Sequence, residues 1–388
     1  MEKHLTRRDV LKGSLAGAGL GITSLPDWVF PAPAQGEVAV PFTDMPEIFN
    51  TAPSAETRFL DIRKIDRLIT PSDQFFTVQH LGQPEIDGAS FRLKVTGLVD
   101  QPKQLSLAEI KSLGTPLDMV AGFECSGNSP RLTQGLASNG RWSGVPLRKV
   151  LAAAGVRSAG REVVFFGADH GVEKVDYRGQ SYEVDQQFGR SMSVDEAMAP
   201  EPLLAFGLNG APLSRFQGFP LRLIVPGWYG VANVKWLAQI HVQQERYLGN
   251  YQARWYRTLR GEKIGDEVKW TETAVTRMRL KSVIARVTRE GASHKITGFV
   301  LNDGTPLKAV EVSIDKGPWR KATIASGQDP YSWKLFSYGW ADATPGEHTL
   351  VSRVTDANGL VQPTAAELET KKTNLENNAQ YPRTVVVS

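Results

Sequence analysis

Beyond residue 280 the chain is cut into short apolar runs by turn-forming residues, and this punctuation constrains its fold more than any other feature. The runs are Lys281 to Thr288, His294 to Leu301, Ala309 to Ile314, Lys334 to Tyr338, His348 to Thr355 and Thr384 to Val387. Between them stand Asn302-Asp303-Gly304, Asp342-Ala343-Thr344-Pro345-Gly346 and Asp356-Ala357-Asn358-Gly359, whose residues favour tight turns. About seven short strands at such spacing predict an all-β, immunoglobulin-like sandwich. The charged stretch Arg257 to Lys269 precedes the change of pattern and sets a domain boundary near residue 270.

The preceding segment reads differently. Phe91 to Leu98 alternates as a strand, Ser106 to Ser112 suits a short helix, and Arg161 to Phe166 reads as a buried strand. Leu221 to Val225 is a further buried strand, stopped by Pro226-Gly227. Residues 35–270 are therefore expected to form a mixed α+β domain and 271–388 the sandwich. A hydrophobic share of 41% and a charged share of 22% exclude a disordered chain and a membrane-embedded one. Net charge is +4, and without residues 1–34, which carry four basic and three acidic side chains, it is +3, too mild a balance for nucleic acid.

Near the N-terminus Arg7-Arg8 precedes a weakly apolar, Gly-rich run from Gly13 to Ile22 and then Ala32-Pro33-Ala34. This pattern resembles a twin-arginine export signal over residues 1–34 with an A-x-A cleavage site, predicting a periplasmic protein. The run is too short to span a bilayer, so no membrane span is expected in the mature form. The twin-arginine route carries folded proteins and hints at a cofactor inserted beforehand.

Cys125 is the single cysteine, so the chain can hold no internal disulfide. It stands in Glu124-Cys125-Ser126-Gly127-Asn128-Ser129-Pro130, at the end of the apolar run Met119 to Phe123, and small turn-forming neighbours mark a loop. An inert buried thiol, a nucleophile paired with His80, His170 or His241, and a metal ligand are the readings open to it.

Phe123-Glu124-Cys125-Ser126-Gly127-Asn128 resembles the Cys-x-Gly-Asn loop of the sulfite oxidase family. Arg141-Trp142-Ser143-Gly144 resembles the family's Arg-Trp-x-Gly segment, and the longest match runs from Asn209 to Arg222 and on through Val225-Pro226-Gly227 to Val234-Lys235-Trp236-Leu237. Asp315-Lys316-Gly317-Pro318-Trp319-Arg320 and Val361-Gln362-Pro363 extend the likeness to the second domain. The resemblance implies molybdenum carried by one pyranopterin, with Cys125 as the protein thiolate on the metal. It implies cofactor contacts from Phe76, His80, Asp169, Gln217, Arg222, Ala232, Asn233 and Lys235, and an active-site phenol at Tyr256. It further implies a homodimer formed through the second domain.

The match to sulfite-oxidising members is incomplete where an arginine cage would meet the substrate. Val78 stands in place of one Arg and Pro130 in place of another, although Arg131 follows, and Lys372 is the nearest C-terminal substitute for a third. Gln217 replaces a common His and cannot titrate. The expected activity is oxidation of sulfite or a related sulfur oxyanion, with Arg131, Tyr256 and Lys372 facing the anion. No haem-attachment motif occurs in the sequence, so a separate periplasmic c-type cytochrome is the expected electron acceptor. A sulfoxide reductase of the same fold and a non-catalytic exported binding module are the alternatives.

Overall fold

The computed structural model describes residues 36–45, 57–325 and 329–388, and the Arg7-Arg8 signal lies outside them. Strands dominate at 46% against 11% helix, so mixed α+β fits only loosely. The α-helices among the described residues are short: Leu107–Ser112, Leu147–Ala154, Val194–Ala197 and Asn250–Ala253. None is long and apolar enough to cross a membrane.

Two sheets build the first half. One runs in the order Lys103–Leu105, Leu93–Gly97, Leu237–Gln243, Glu162–Tyr177, Gln180–Ser193. Only the pair Leu93–Gly97 and Leu237–Gln243 is parallel. The other is antiparallel, ordered Arg222–Ile224, Leu203–Leu208, Ala137–Pro146, Leu117–Glu124. Their common core holds Leu93, Val95, Phe165 and Ile240 from the first sheet, and Leu204 and Leu223 from the second. Leu147–Ala154 closes it with Leu147, Val150, Leu151 and Ala154, one face of an amphipathic helix. Each large apolar side chain buried here contributes about 1.5–3 kcal/mol. Leu107–Ser112, the one helix read from the sequence, starts at Ser106 through a reciprocal cap with Glu109.

All six apolar runs beyond residue 280 are strands. They form a five-stranded sheet containing Lys281–Glu290, Ser293–Leu301 and Lys334–Trp340, and a four-stranded sheet containing Leu307–Ile314, Gly346–Asp356 and Arg383–Val387. Ile284, Val287, Ile296 and Phe336 of one meet Val310, Val312, Leu350 and Val354 of the other. The charged stretch Arg257 to Lys269 is itself structured, as the hairpin Arg257–Ile264 and Glu267–Ala274.

The two halves are not separated by a bare linker. Leu60, Ile62 and Ala137 share a core with Val283, Phe299 and Trp333. The Trp333 indole donates to Leu68 O at 2.9 Å, and the Gly122 amide donates to Tyr331 O at 2.8 Å.

Candidate active site

A cleft opens in the first half of the chain, walled by apolar and aromatic side chains with a few convergent polar groups, the usual make-up of a small-molecule site. Its wall brings together Phe76, His80, Cys125, Asp169, Gln217, Arg222, Asn233, Lys235 and Tyr256, residues scattered over most of the first half.

Cys125 directly follows the strand Leu117–Glu124, whose register delivers it to the cleft. Its amide donates to Leu136 O at 2.9 Å, and its carbonyl accepts from the Asn128 amide at 2.9 Å. The Asn128 side chain donates to Glu124 and to Gln134 O and accepts from the Leu136 amide, so the loop is closed from within. Burial pushes the Cys125 thiol up to about 11. A cation beside it is what would make it a thiolate at neutral pH.

Two cations point to an anion. Arg222 is 4% exposed, donates to Gln217 O and Oε1 and to Asn233 O, and leaves Nε without a partner. Lys235 Nζ donates to Val78 O at 3.0 Å and reaches Thr77 and Gln79 at 3.4 Å. Neither makes a salt bridge with a carboxylate among the described residues. Burial pulls Arg222 down to about 9, while burial and then the neighbouring Arg222 charge pull Lys235 down to about 7. A buried, unpaired positive charge is costly, and an incoming phosphate would relieve it. Gly218 makes the approach possible: at φ +95°, an added Cβ would lie 2.9 Å from both Lys235 Cβ and the Trp236 amide.

Asp169 is re-aimed by a bulge. The pairing of Glu162–Tyr177 with Gln180–Ser193 slips between Phe166 and His170, releasing Asp169 from the ladder. Its carboxyl is buried with Oδ1 unpartnered, and burial raises it to about 6. A donor on a bound ring would satisfy that oxygen. The donor set therefore fits a phosphate-bearing pterin: one thiol, two cations lacking acids and one orphan carboxyl oxygen.

The opposite wall is aromatic. His80 Nε2 and Tyr256 Oη lie 2.7 Å apart, and the His80 ring stacks on Tyr251 at 4.9 Å and meets Trp255 edge-on at 5.7 Å. Burial lowers His80 and raises Tyr256, favouring the neutral form of each.

Other predicted residues fall elsewhere. Arg131 is exposed on the turn Pro130–Leu132, and Lys372 is exposed with Nζ donating to Glu369 O. Neither is among the side chains that line the cleft. Ala232 is buried beside the cleft with its amide used by Tyr229 O, and Asn233 spends its side chain on the Val225 amide and Tyr229 O. These two shape the turn that holds Arg222. Phe76 lines the cleft, its amide tied to Ser138 Oγ at 3.0 Å.

Sequence reasoning missed Arg190, which is 1% exposed, donates to Tyr251 O and to Val275 O at 2.6 Å, and leaves Nε free behind Tyr256. A lone Arg between Gly189 and Ser191-Met192 in a strand was its only signal.

The sequence pattern of the family described as oxidoreductase molybdopterin binding domain matches residues 80–251. Sulfite oxidase of Gallus gallus is 30% identical over 342 residues, covering 81% of this chain and 71% of that protein. Mitochondrial sulfite oxidase of Homo sapiens is 31% identical over 77% of this chain, which spans only 58% of that relative. Among solved structures, the sulfane dehydrogenase SoxCD of Paracoccus pantotrophus superposes with a TM-score of 0.74 at 26% identity, covering 89% of this chain and 90% of that one.

Proposed function

The chain belongs to the sulfite oxidase family of molybdopterin-dependent oxidoreductases, and we propose that within it this protein oxidises sulfite or a related sulfur oxyanion. The observation that carries this reading is the convergence on one cleft of the Cys125 thiol with buried Arg222 and part-buried Lys235, neither of them in a salt bridge among the described residues.

In this reading Cys125 holds the metal, Arg222 and Lys235 hold the pterin phosphate, and Asp169 takes a ring N–H. Bound there, molybdenum supplies oxygen-atom transfer coupled to two-electron oxidation, converting sulfite and water to sulfate with release of protons. The chain's own part is orientation and proton handling. Tyr256, kept protonated by burial, presents its phenol to a substrate oxygen and has His80 Nε2 at 2.7 Å as its proton partner. Tyr256→Phe is expected to lower kcat by about ten- to a hundredfold with a smaller change in KM, as measured by steady-state kinetics. An unchanged kcat would remove the phenol from the reaction.

The wider proposal is a periplasmic enzyme exported by the twin-arginine segment, with a catalytic domain over 35–270 and an immunoglobulin-like domain over 271–388 that pairs two chains. Its electrons pass to a separate c-type cytochrome. Metal analysis of protein from a molybdate-fed host, followed by sulfite-dependent reduction of ferricyanide or cytochrome c, tests the activity. Molybdenum without sulfite turnover would sink the substrate assignment.

One observation favours a second reading, a less charged sulfur substrate. Val78, Val231 and Phe188 line the cleft, and Val78 takes the position of one arginine expected by resemblance. A sulfane sulfur or a sulfoxide suits such walls better than a dianion does. Arg131→Ala and Lys372→Ala are accordingly expected to leave kcat/KM within about twofold, as exposed charges usually contribute little. A hundredfold loss in either variant would put that side chain at the substrate.

A further inference from the structure

The loop carrying Cys125 is gripped from both sides by the C-terminal half of the chain. On one side Lys281 Nζ lies 2.6 Å from Glu124 Oε1, with both side chains 1% exposed, and 3.4 Å from Asn128 O. On the other, the Glu376 amide donates to Ser126 O at 2.7 Å. The residues on either side of the thiol are thus tied to elements far away in sequence.

Each grip is itself anchored. Lys281 begins the strand Lys281–Glu290, and the next residue, Ser282, bonds Gln362 Oε1 through its amide and its hydroxyl. Glu376 adopts the left-handed backbone region at φ +53°, and its buried carboxylate is held by Arg260 at 3.2 Å and Arg279 at 3.5 Å. A buried ion pair such as Lys281–Glu124 is a poor source of stability, because desolvation offsets the attraction and an apolar pair of similar volume would pack at less cost. What a charged pair with added hydrogen bonds supplies is a single geometry. Asn128 spends its side chain and carbonyl on the same arrangement.

We propose that Lys281 and Glu376 are positioning residues that orient the Cys125 thiol toward its metal, so that the C-terminal half sets the metal–sulfur geometry. This rests on Cys125 being the metal's thiolate. It assigns neither residue a contact with substrate or cofactor.

The test uses molybdenum-loaded full-length enzyme and compares Lys281→Met, Lys281→Arg, Glu376→Gly and Cys125→Ser by thermal melting, metal content and visible absorption from thiolate-to-molybdenum charge transfer. In Lys281→Met and Glu376→Gly the expected result is a cooperative melt, a charge-transfer band shifted or reduced by at least half, and kcat lowered at least tenfold with KM within about threefold. Lys281→Arg restores the band toward the wild type. A wild-type band in both variants overturns the proposal, as does a failure of both to fold, which would make the contacts requirements of folding. If Cys125→Ser retains the band, the ligand assignment itself is wrong, an outcome separate from the others.

Discussion

Cys125→Ser is expected to yield a folded protein whose turnover falls by at least about a thousandfold, equivalent to about 4 kcal/mol of barrier. The substitution removes one sulfur and adds little strain, since the loop is closed by backbone bonds and by Asn128. Ser cannot replace a soft thiolate on such a metal, because its hydroxyl is hard and far less acidic. An inert Cys acting as a small hydrophobe would give the opposite result, a modest shift in melting temperature with turnover intact. Melting curves and steady-state rates on metal-loaded protein separate the two. Retention of more than about a tenth of wild-type turnover would take Cys125 off the metal.

Arg222→Met is expected to lower the pterin content of purified protein to less than about a tenth of wild type, since it removes a charge-assisted contact from a buried side chain of the cleft. Pterin released from denatured protein and measured by fluorescence provides the check, and wild-type content would mean the guanidinium serves the fold alone. Lys235 adds a pH signature. Its folded value of about 7 lies below its ordinary 10.5, so the folded state loses this proton while the unfolded state still binds it. The contribution to stability of the cofactor-free protein is therefore least favourable below about pH 7 and improves as pH climbs toward 10.5. Bound phosphate reverses this by favouring the charged amine. Melting of cofactor-free wild type against Lys235→Met between about pH 7 and about pH 10 should show a rising difference; parallel curves would sink the assignment.

The apolar runs beyond residue 280 were legible because turn residues separate them, some alternating toward the shared core, as in Gly346–Asp356, and others buried almost throughout, as in Lys281–Glu290. The short helix expected over Ser106 to Ser112 is present as Leu107–Ser112. The hairpins Glu162–Tyr177 with Gln180–Ser193 and Arg257–Ile264 with Glu267–Ala274 were not legible in full. Charged residues fill many of their outer positions, among them exposed Lys174, Asp176, Glu262 and Lys263, and leave little apolar alternation to read. Cys125, Arg222, Lys235 and Tyr256 were found through motifs and spacing, and the structure gathers them in one cleft. Arg131, near Cys125 in sequence, stands exposed on the turn Pro130–Leu132 and outside the cleft lining. Arg190 stayed hidden because antiparallel pairing, which no local pattern encodes, carries it behind Tyr256.

The grip on the Cys125 loop bears on how such a protein can be made. Ribosomes release a chain from its N-terminus, and domains ordinarily fold as they emerge. Here Ser126 waits for an amide at Glu376 and Glu124 waits for a counter-charge at Lys281, so the metal-binding loop stays unfinished while most of the polypeptide already exists. Until then Glu124 would be a carboxylate buried without its cation, which disfavours early closure. With Cys125 as the proposed ligand, loading with a preformed cofactor would fall after translation, once both halves of the site are in place.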